Sequence, residues 1–175
     1  ADGEELANDQ WGDGKNRGFN TLLPYGLAVA KDGTLWFGLQ DNGSGKVFSE
    51  TAAADADKGK IVMAYGSDGF YAAVDPDDSN VAYTEYTNGD MRVTTNGGTT
   101  WTNIPPNLTG AQFGNFFKMD PTDAKHIVTA GCEVKERLNG PSGAWVTVYD
   151  AGTNPVNNQN YQQSTLDVEG AAVYV

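Results

Sequence analysis

Apolar residues in this chain come in short runs separated by clusters of glycine, asparagine and aspartate, a rhythm that predicts strands joined by turns. Leu27 to Ala30, Thr34 to Leu39 and Lys46 to Ser49 read as strands, with a turn at Lys31-Asp32-Gly33 and a loop from Gln40 to Gly45. After a small-residue acidic loop, Thr51 to Gly59, a fourth strand runs from Lys60 to Tyr65. The pattern then recurs as strands Phe70 to Val74, Val81 to Tyr86, Asp90 to Thr94 and Thr100 to Ile104, with turns at Asp75 to Asn80, Asn88-Gly89 and Asn96 to Gly98. Asn88-Gly89 is the sharpest hairpin signal, because both turn positions want positive φ. A third set spans Phe116 to Tyr149, and Ala171 to Val175 reads as one more strand. No segment keeps the i, i+3, i+4, i+7 spacing of an amphipathic helix.

The recurrence has a period. Asp75-Pro76 and Asp120-Pro121 each close an apolar run and lie 45 residues apart, while Trp101 and Trp145 lie 44 apart. A repeat of this length holding several short strands predicts propeller blades of four strands each. The expected fold is therefore all-β, a β-propeller of four-stranded antiparallel blades, with about three blades and parts of a fourth. The units fall at 1–25 (a tail or the last strand of a preceding blade), 26–66, 67–110, 111–152 and 153–175, the last holding a linker and the start of a blade. Closed propellers usually carry at least four blades. A fragment of a larger ring is expected, completed by the same polypeptide or by other copies, because an open arc leaves sheet edges and an apolar flank in water.

Composition supports this picture: 22 Gly, 7 Pro and 11% aromatic residues suit a chain of turns and packed strands. The net charge of −12, from 23 acids and 11 bases, argues against nucleic acid and anionic membranes as partners. It fits a secreted protein kept soluble by self-repulsion. The single Cys132 and single His126 make neither a disulfide nor a zinc site. No run approaches the roughly 18 apolar residues of a membrane span. Ala1 does not begin a signal peptide, so a mature, processed or excised start is expected.

The octapeptide Thr94-Thr95-Asn96-Gly97-Gly98-Thr99-Thr100-Trp101 is the most distinctive motif. Asn96 can bond its own backbone, the glycines can take left-handed φ, and the threonines can cap amides, so the segment is a hairpin-folding device. Thr94, Asn96, Gly98, Thr100 and Trp101 resemble the Asp-box, or bacterial neuraminidase repeat, with the pattern Ser/Thr-x-Asp/Asn-x-Gly-x-Thr-Trp. Gly38 to Gly43, Ser67 to Tyr71 and Asn80 to Tyr83 are similar to the sortilin-like and xyloglucanase-like branch of bacterial propellers. The third unit keeps only the turn and Trp145. The resemblance implies an extracellular bacterial propeller, from a superfamily that includes sialidases, xyloglucan hydrolases and sorting receptors; fold alone does not choose among them.

A sialidase would need an arginine cluster. Only Arg17, Arg92 and Arg137 are present, and the last two, 45 residues apart, are expected at equivalent blade positions. A glycosidase would need two facing carboxylates. Asp41 and Asp68 are the best candidate pair, with turn-forming roles as the alternative. Catalysis predicts their carboxyls within about 10 Å across an open groove, and scaffolding predicts both tied to their own turns. Asp75, Asp77, Asp78, Asp55 and Asp57 offer the oxygen chemistry of calcium, though without EF-hand spacing, and no cofactor is expected. His126 reads as a partly buried strand residue, and Asn107-Leu108-Thr109 fits a glycosylation sequon.

Binding is the competing class. Trp36, Tyr65, Tyr71, Tyr83 and Tyr86 are expected at the surface, where they can stack on sugars or peptide side chains, with interblade packing as the alternative. Trp36, Gln40, Tyr71 and Tyr86 are the candidate ligand-binding residues. Recognition or scaffolding, of polysaccharide or a cell-surface protein, is favoured over hydrolysis.

Overall fold

The computed structural model describes residues 23–49, 60–152, 163 and 165–175. Four antiparallel sheets follow one another along the chain. The first joins β1 (Pro24–Val29), β2 (Leu35–Leu39), β3 (Gly43–Val47) and β4 (Ile61–Tyr65) in that order. The second joins β5 (Ala72–Val74), β6 (Ala82–Glu85), β7 (Met91–Thr94) and β8 (Thr102–Asn103). The third joins β9 (Phe117–Asp120), β10 (Asp123–Ala130), β11 (Glu133–Arg137) and β12 (Val146–Asp150), and β13 (Asp167–Glu169) pairs with β14 (Ala172–Tyr174). Every strand pairs with its neighbour in sequence, the pattern that hairpin connections impose. Among the described residues the one helical element is a 3₁₀ turn, Gly140–Ser142.

The apolar residues sit between sheets, so each core belongs to a seam. Trp36, Ala30, Val74 and Ala82 fill the first seam, with Ala64 and Trp101 against them. Tyr83, Met91, Val93, Ile104, Phe117 and Ile127 fill the second. Phe116, Val128, Val134, Leu166 and Val168 fill the third, between the complete third sheet and the β13–β14 hairpin. Each buried Val, Leu, Ile, Phe or Met contributes about 1.5–3 kcal/mol by leaving water. The first strands β1, β5 and β9 line a groove of about 530 Å³. Sheets stacked in this way around their innermost strands are blades of a β-propeller, here three complete and one two-stranded among the described residues.

The first seam is closed to the point of backbone contact. A Cβ on Gly38 would lie 2.2 Å from the Phe70 carbonyl oxygen, so only glycine lets β2 approach the second blade this closely. At its lower rim, Lys31 N–H donates to Pro76 O at 2.8 Å and the Lys31 ammonium meets Asp77 at 2.6 Å.

Several sequence expectations are corrected. The second half of the loop expected from Gln40 to Gly45 is strand, because β3 starts at Gly43. Its glycines reflect crowding: a Cβ on Gly45 would meet the Phe37 ring at 2.6 Å. Arg92 and Arg137 are not equivalent. Arg92 pairs with Thr84 and Lys135 pairs with Thr129, so Arg137, opposite Ile127, stands where the second blade has Thr94, opposite Ala82. The 45-residue offset holds for the first two strands of the blade and shortens to 43 at the third. Outer strands β4 and β12 each carry one extra residue. Ser44 pairs with Tyr65 and Gly45 with Met63, leaving Ala64 as a bulge; Val134 pairs with Tyr149 and Lys135 with Thr147, leaving Val148.

Candidate functional site

The β2–β3 and β6–β7 turns, together with the connections that leave β4 and β8, meet on one face of the arc. Gly69 N–H donates to Leu39 O at 2.9 Å, and Asn88 N–H donates to Phe113 O at 2.9 Å, tying these segments together. All four non-glycine residues with positive φ among the described residues lie in these segments: Asp41 (64°), Ser67 (73°), Asn88 (55°) and Asn107 (54°). Left-handed backbone at non-glycine residues costs on the order of 1–3 kcal/mol each and concentrates at working surfaces.

Three aromatic rings run across this face. Phe70, buried, stands edge-on to Tyr25 at 5.1 Å and to Phe113 at 5.2 Å. The flanking rings remain in solvent, Tyr25 49% and Phe113 54% exposed. The Tyr25 hydroxyl donates to Gln40 Oε1 at 2.8 Å, and Asn42 Nδ2 donates to Gln40 O at 3.2 Å. Polar groups therefore border the rings on the side of the first blade.

Asp41 and Asp68 come together here. The Asp41 N–H donates to Asp68 Oδ1 at 2.8 Å, so the Asp68 carboxylate braces the neighbouring blade's turn. The tie runs between two turns, a geometry intermediate between the two that the sequence framed. Tyr86 lies beside them: Ser67 Oγ donates to its hydroxyl at 3.5 Å, and the Arg92 guanidinium is held between the rings of Tyr65 and Tyr86 at 4.6 and 5.2 Å. Arg92 also donates to Asp90 and Asn103, and Arg137 donates to Gly140 O and Pro141 O. Both guanidiniums are thus committed within the fold.

Trp36 and Tyr83, expected at the surface, are each 1% exposed. Trp36 is covered in the first seam, edge-on to Trp101 at 5.9 Å, and its N–H donates to Ser79 O on the opposite side of the arc. Tyr71 is half-buried and lines the central groove. The structure therefore gathers Gln40, Asp41, Asp68 and Tyr86 on one face and leaves Trp36 and Tyr71 elsewhere.

Sequence reasoning missed Glu85. It is 0% exposed at the end of β6, its Oε1 accepts from Gly89 N–H at 3.0 Å, and Oε2 has no partner. Burial pushes its carboxyl up to about 8; hydrogen bonds from Gly89 and Asn115 oppose the rise, and the charges of Asp90 and Asp68 add to it. By register its place is taken by Gly38 in the first blade and Ala130 in the third. That break in the repeat was the signal available in the sequence.

On the opposite face the octapeptide forms a bonded turn. Thr94 Oγ1 accepts from the N–H groups of Asn96 and Gly98 and donates to Asn96 Oδ1, which also accepts from Thr100 N–H. Gly97 and Gly98 have φ of 66° and 88°. Trp101 N–H then donates to Ala64 O of the first blade at 3.0 Å, and Trp145 N–H donates to Ile104 O of the second at 2.7 Å. Asp75 and Asp78 accept from amides of their own turn. Asp55 and Asp57 lie outside the described residues. Among the described residues no group of three or more His, Cys, Asp or Glu side chains is arranged to hold a metal ion. His126, more buried than expected, lies 3.2 Å from Asp120 and 3.3 Å from Glu136. Burial would raise the Asp120 carboxyl, but hydrogen bonds from Thr122 and His126 hold it down at about 2.

No protein-family model matches the chain, and no curated protein is similar to it. Solved structures are. The chain resembles one in a nidogen/laminin complex at 10% identity and a TM-score of 0.54, covering 76% of this chain and 50% of that one. The likeness is one of fold. A computationally designed protein, Ika4, is similar at 13% identity and a TM-score of 0.50, over 88% of this chain and 84% of that one. An ancestral GH74 enzyme aligns at 16% identity and a TM-score of 0.47, over 72% of this chain and 18% of the enzyme. This chain thus spans half the length of the first of these proteins and less than a fifth of the third.

Proposed function

We propose that this arc is an Asp-box-type propeller module of a secreted bacterial protein that recognises a neutral saccharide chain on the face bearing Tyr25, Gln40, Asp41 and Phe113. The observation that carries this reading is the pair of half-exposed rings flanking buried Phe70, bordered by fixed amide and carboxylate groups. Flat apolar rings beside polar groups match the alternating C–H and O–H surface of a pyranose. The carboxylates of Asp41, Asp68 and Asp90 disfavour an anionic sugar, and the nearby Arg92 is already paired with Asp90. A glycan array followed by titration tests the reading. Neutral oligosaccharides bind, and Tyr25→Ala or Phe113→Ala weakens them at least about tenfold, the loss of one stacking contact of ~1.4 kcal/mol. Uniform binding across the array, or none, would remove it.

A second reading is part of a glycoside hydrolase using Asp41 and Asp68. It is favoured by one fact: two carboxyl-bearing turns from adjacent blades are joined by a single hydrogen bond. Xyloglucan turnover lost in both Asp41→Asn and Asp68→Asn would select it. Binding that survives both substitutions, without turnover in the parent chain, selects recognition.

A further inference from the structure

Adjacent blades are joined at their outer strands by a device that recurs. Trp101, just before the last strand of the second blade, donates its indole N–H to Ala64 O on the outer strand of the first; Trp145, just before the last strand of the third, donates to Ile104 O at the end of the second. Ala64 is the extra residue of the bulge in β4. A bulge leaves its extra residue unpaired in the ladder, and at Ala64 the carbonyl of that residue is the one the neighbour's indole reaches.

The third blade repeats the acceptor half of this device. Its outer strand β12 carries the matching bulge at Val148. Beside it Val134, Val148, Tyr149, Gln163, Val173 and Val175 enclose a groove of about 420 Å³. One wall of that groove is β14, the second strand of a hairpin that, among the described residues, pairs only with β13. Val148 and Tyr149 are 47% and 53% exposed, although the inner half of the same flank is covered by Leu166 and Val168.

We infer that this groove is the seat of an antiparallel β-hairpin that completes the fourth blade, its first strand adding to β14 and a tryptophan before its second strand donating to the Val148 carbonyl. The occupant's chemistry follows from what bounds the seat. The edge of β14 offers a row of backbone donors and acceptors that an added strand satisfies. The floor is apolar and continuous with the seam already filled by Val168 and Val173. The bulged carbonyl sits on the outer strand, as Ala64 does in the first seam. A helix or a globular side-chain patch would leave the β14 edge unsatisfied. The inference rests on the arrangement of blades and is independent of the saccharide reading.

The test extends the full chain directly after Val175 with a copy of its own residues 86–104, which carry the third and fourth strands of the second blade. Amide exchange is followed by NMR in the parent and extended chains. The expected result is slowing of at least about tenfold at one or more amides of Ala172 to Tyr174, reversed when the appended copy carries Trp101→Ala. As a second measurement, a peptide of residues 90–104 added to the labelled parent chain shifts the signals of Val134, Val148, Tyr149 and Val173. No slowing in the extended chain together with no shift in the peptide titration would overturn the inference. So would protection, in the parent chain, of the β14 amides that do not bond to β13, whether by its own remaining residues or by a second copy in a dimer.

Discussion

Glu85 is the residue at which the repeat is broken most clearly. A carboxyl stands where the flanking blades place Gly38 and Ala130, and it is buried with one oxygen unpartnered. Its ordinary value of 4.5 rises to about 8 in the folded chain. The folded state therefore holds a proton that the unfolded chain releases, so stability falls as pH rises from 4.5 to about 8 and is flat above that window. Glu85→Gln keeps an acceptor for Gly89 N–H and has no charge to desolvate. The variant is expected to be more stable than the parent at pH 8 by a few kcal/mol, at ~1.36 kcal/mol per pH unit, and nearly equal to it at pH 4.5. Urea midpoints at the two pH values check this, and an unchanged pH slope would refute it. Asp120 has the opposite sign: with its carboxyl held at about 2, its contribution is lost only as pH falls from 3.8 through that value. Neither residue was singled out from sequence as a titrating group, because desolvation depends on which neighbours a side chain meets, and those are set only by the fold.

At the scale of elements the seams decide stability. Trp101→Phe and Trp145→Phe each keep a ring and lose one N–H to a neighbouring blade, costing about 1 kcal/mol, whereas Trp→Ala at either site costs about 3–5 kcal/mol. Equilibrium denaturation of the four variants checks the order. Gly38→Ala drives a methyl group into the Phe70 carbonyl and is expected to separate the first seam, seen as increased amide exchange in β2 with the second seam unaffected. The octapeptide and both tryptophans were legible in the sequence, because Thr, Asn and Gly at those spacings bond their own backbone. Arg137 was not. It stands in the place of Thr94 and donates to loop carbonyls where the threonine accepts amides, so the same turn is held with reversed polarity. The start of strand β3 was misplaced because its glycines were assigned to a loop, whereas Phe37 and the neighbouring strand crowd them.

At the scale of the whole molecule, the fold was legible from a period and a strand pattern. The binding face was legible only in part. Gln40, Asp41, Asp68 and Tyr86 were named, but Tyr25 and Phe113 come from connecting segments with no periodic signature. The first blade presents Leu27, Val29, Ile61 and Met63 on its open side, all about half exposed among the described residues. Register places Val29, Leu35, Val47 and Ile61 in one row across the sheet, so this is a continuous apolar face. Leu27→Lys with Met63→Lys is expected to reduce self-association, measured by light scattering, while changing unfolding free energy by less than about 0.5 kcal/mol. Unchanged association would show that the face is covered in the intact chain.

The tryptophan clamp reads a main-chain oxygen and is indifferent to the side chain beside it. A blade can accordingly be duplicated, exchanged or allowed to drift in composition while its neighbour still recognises it. Blades joined this way keep their seams long after their residues have diverged.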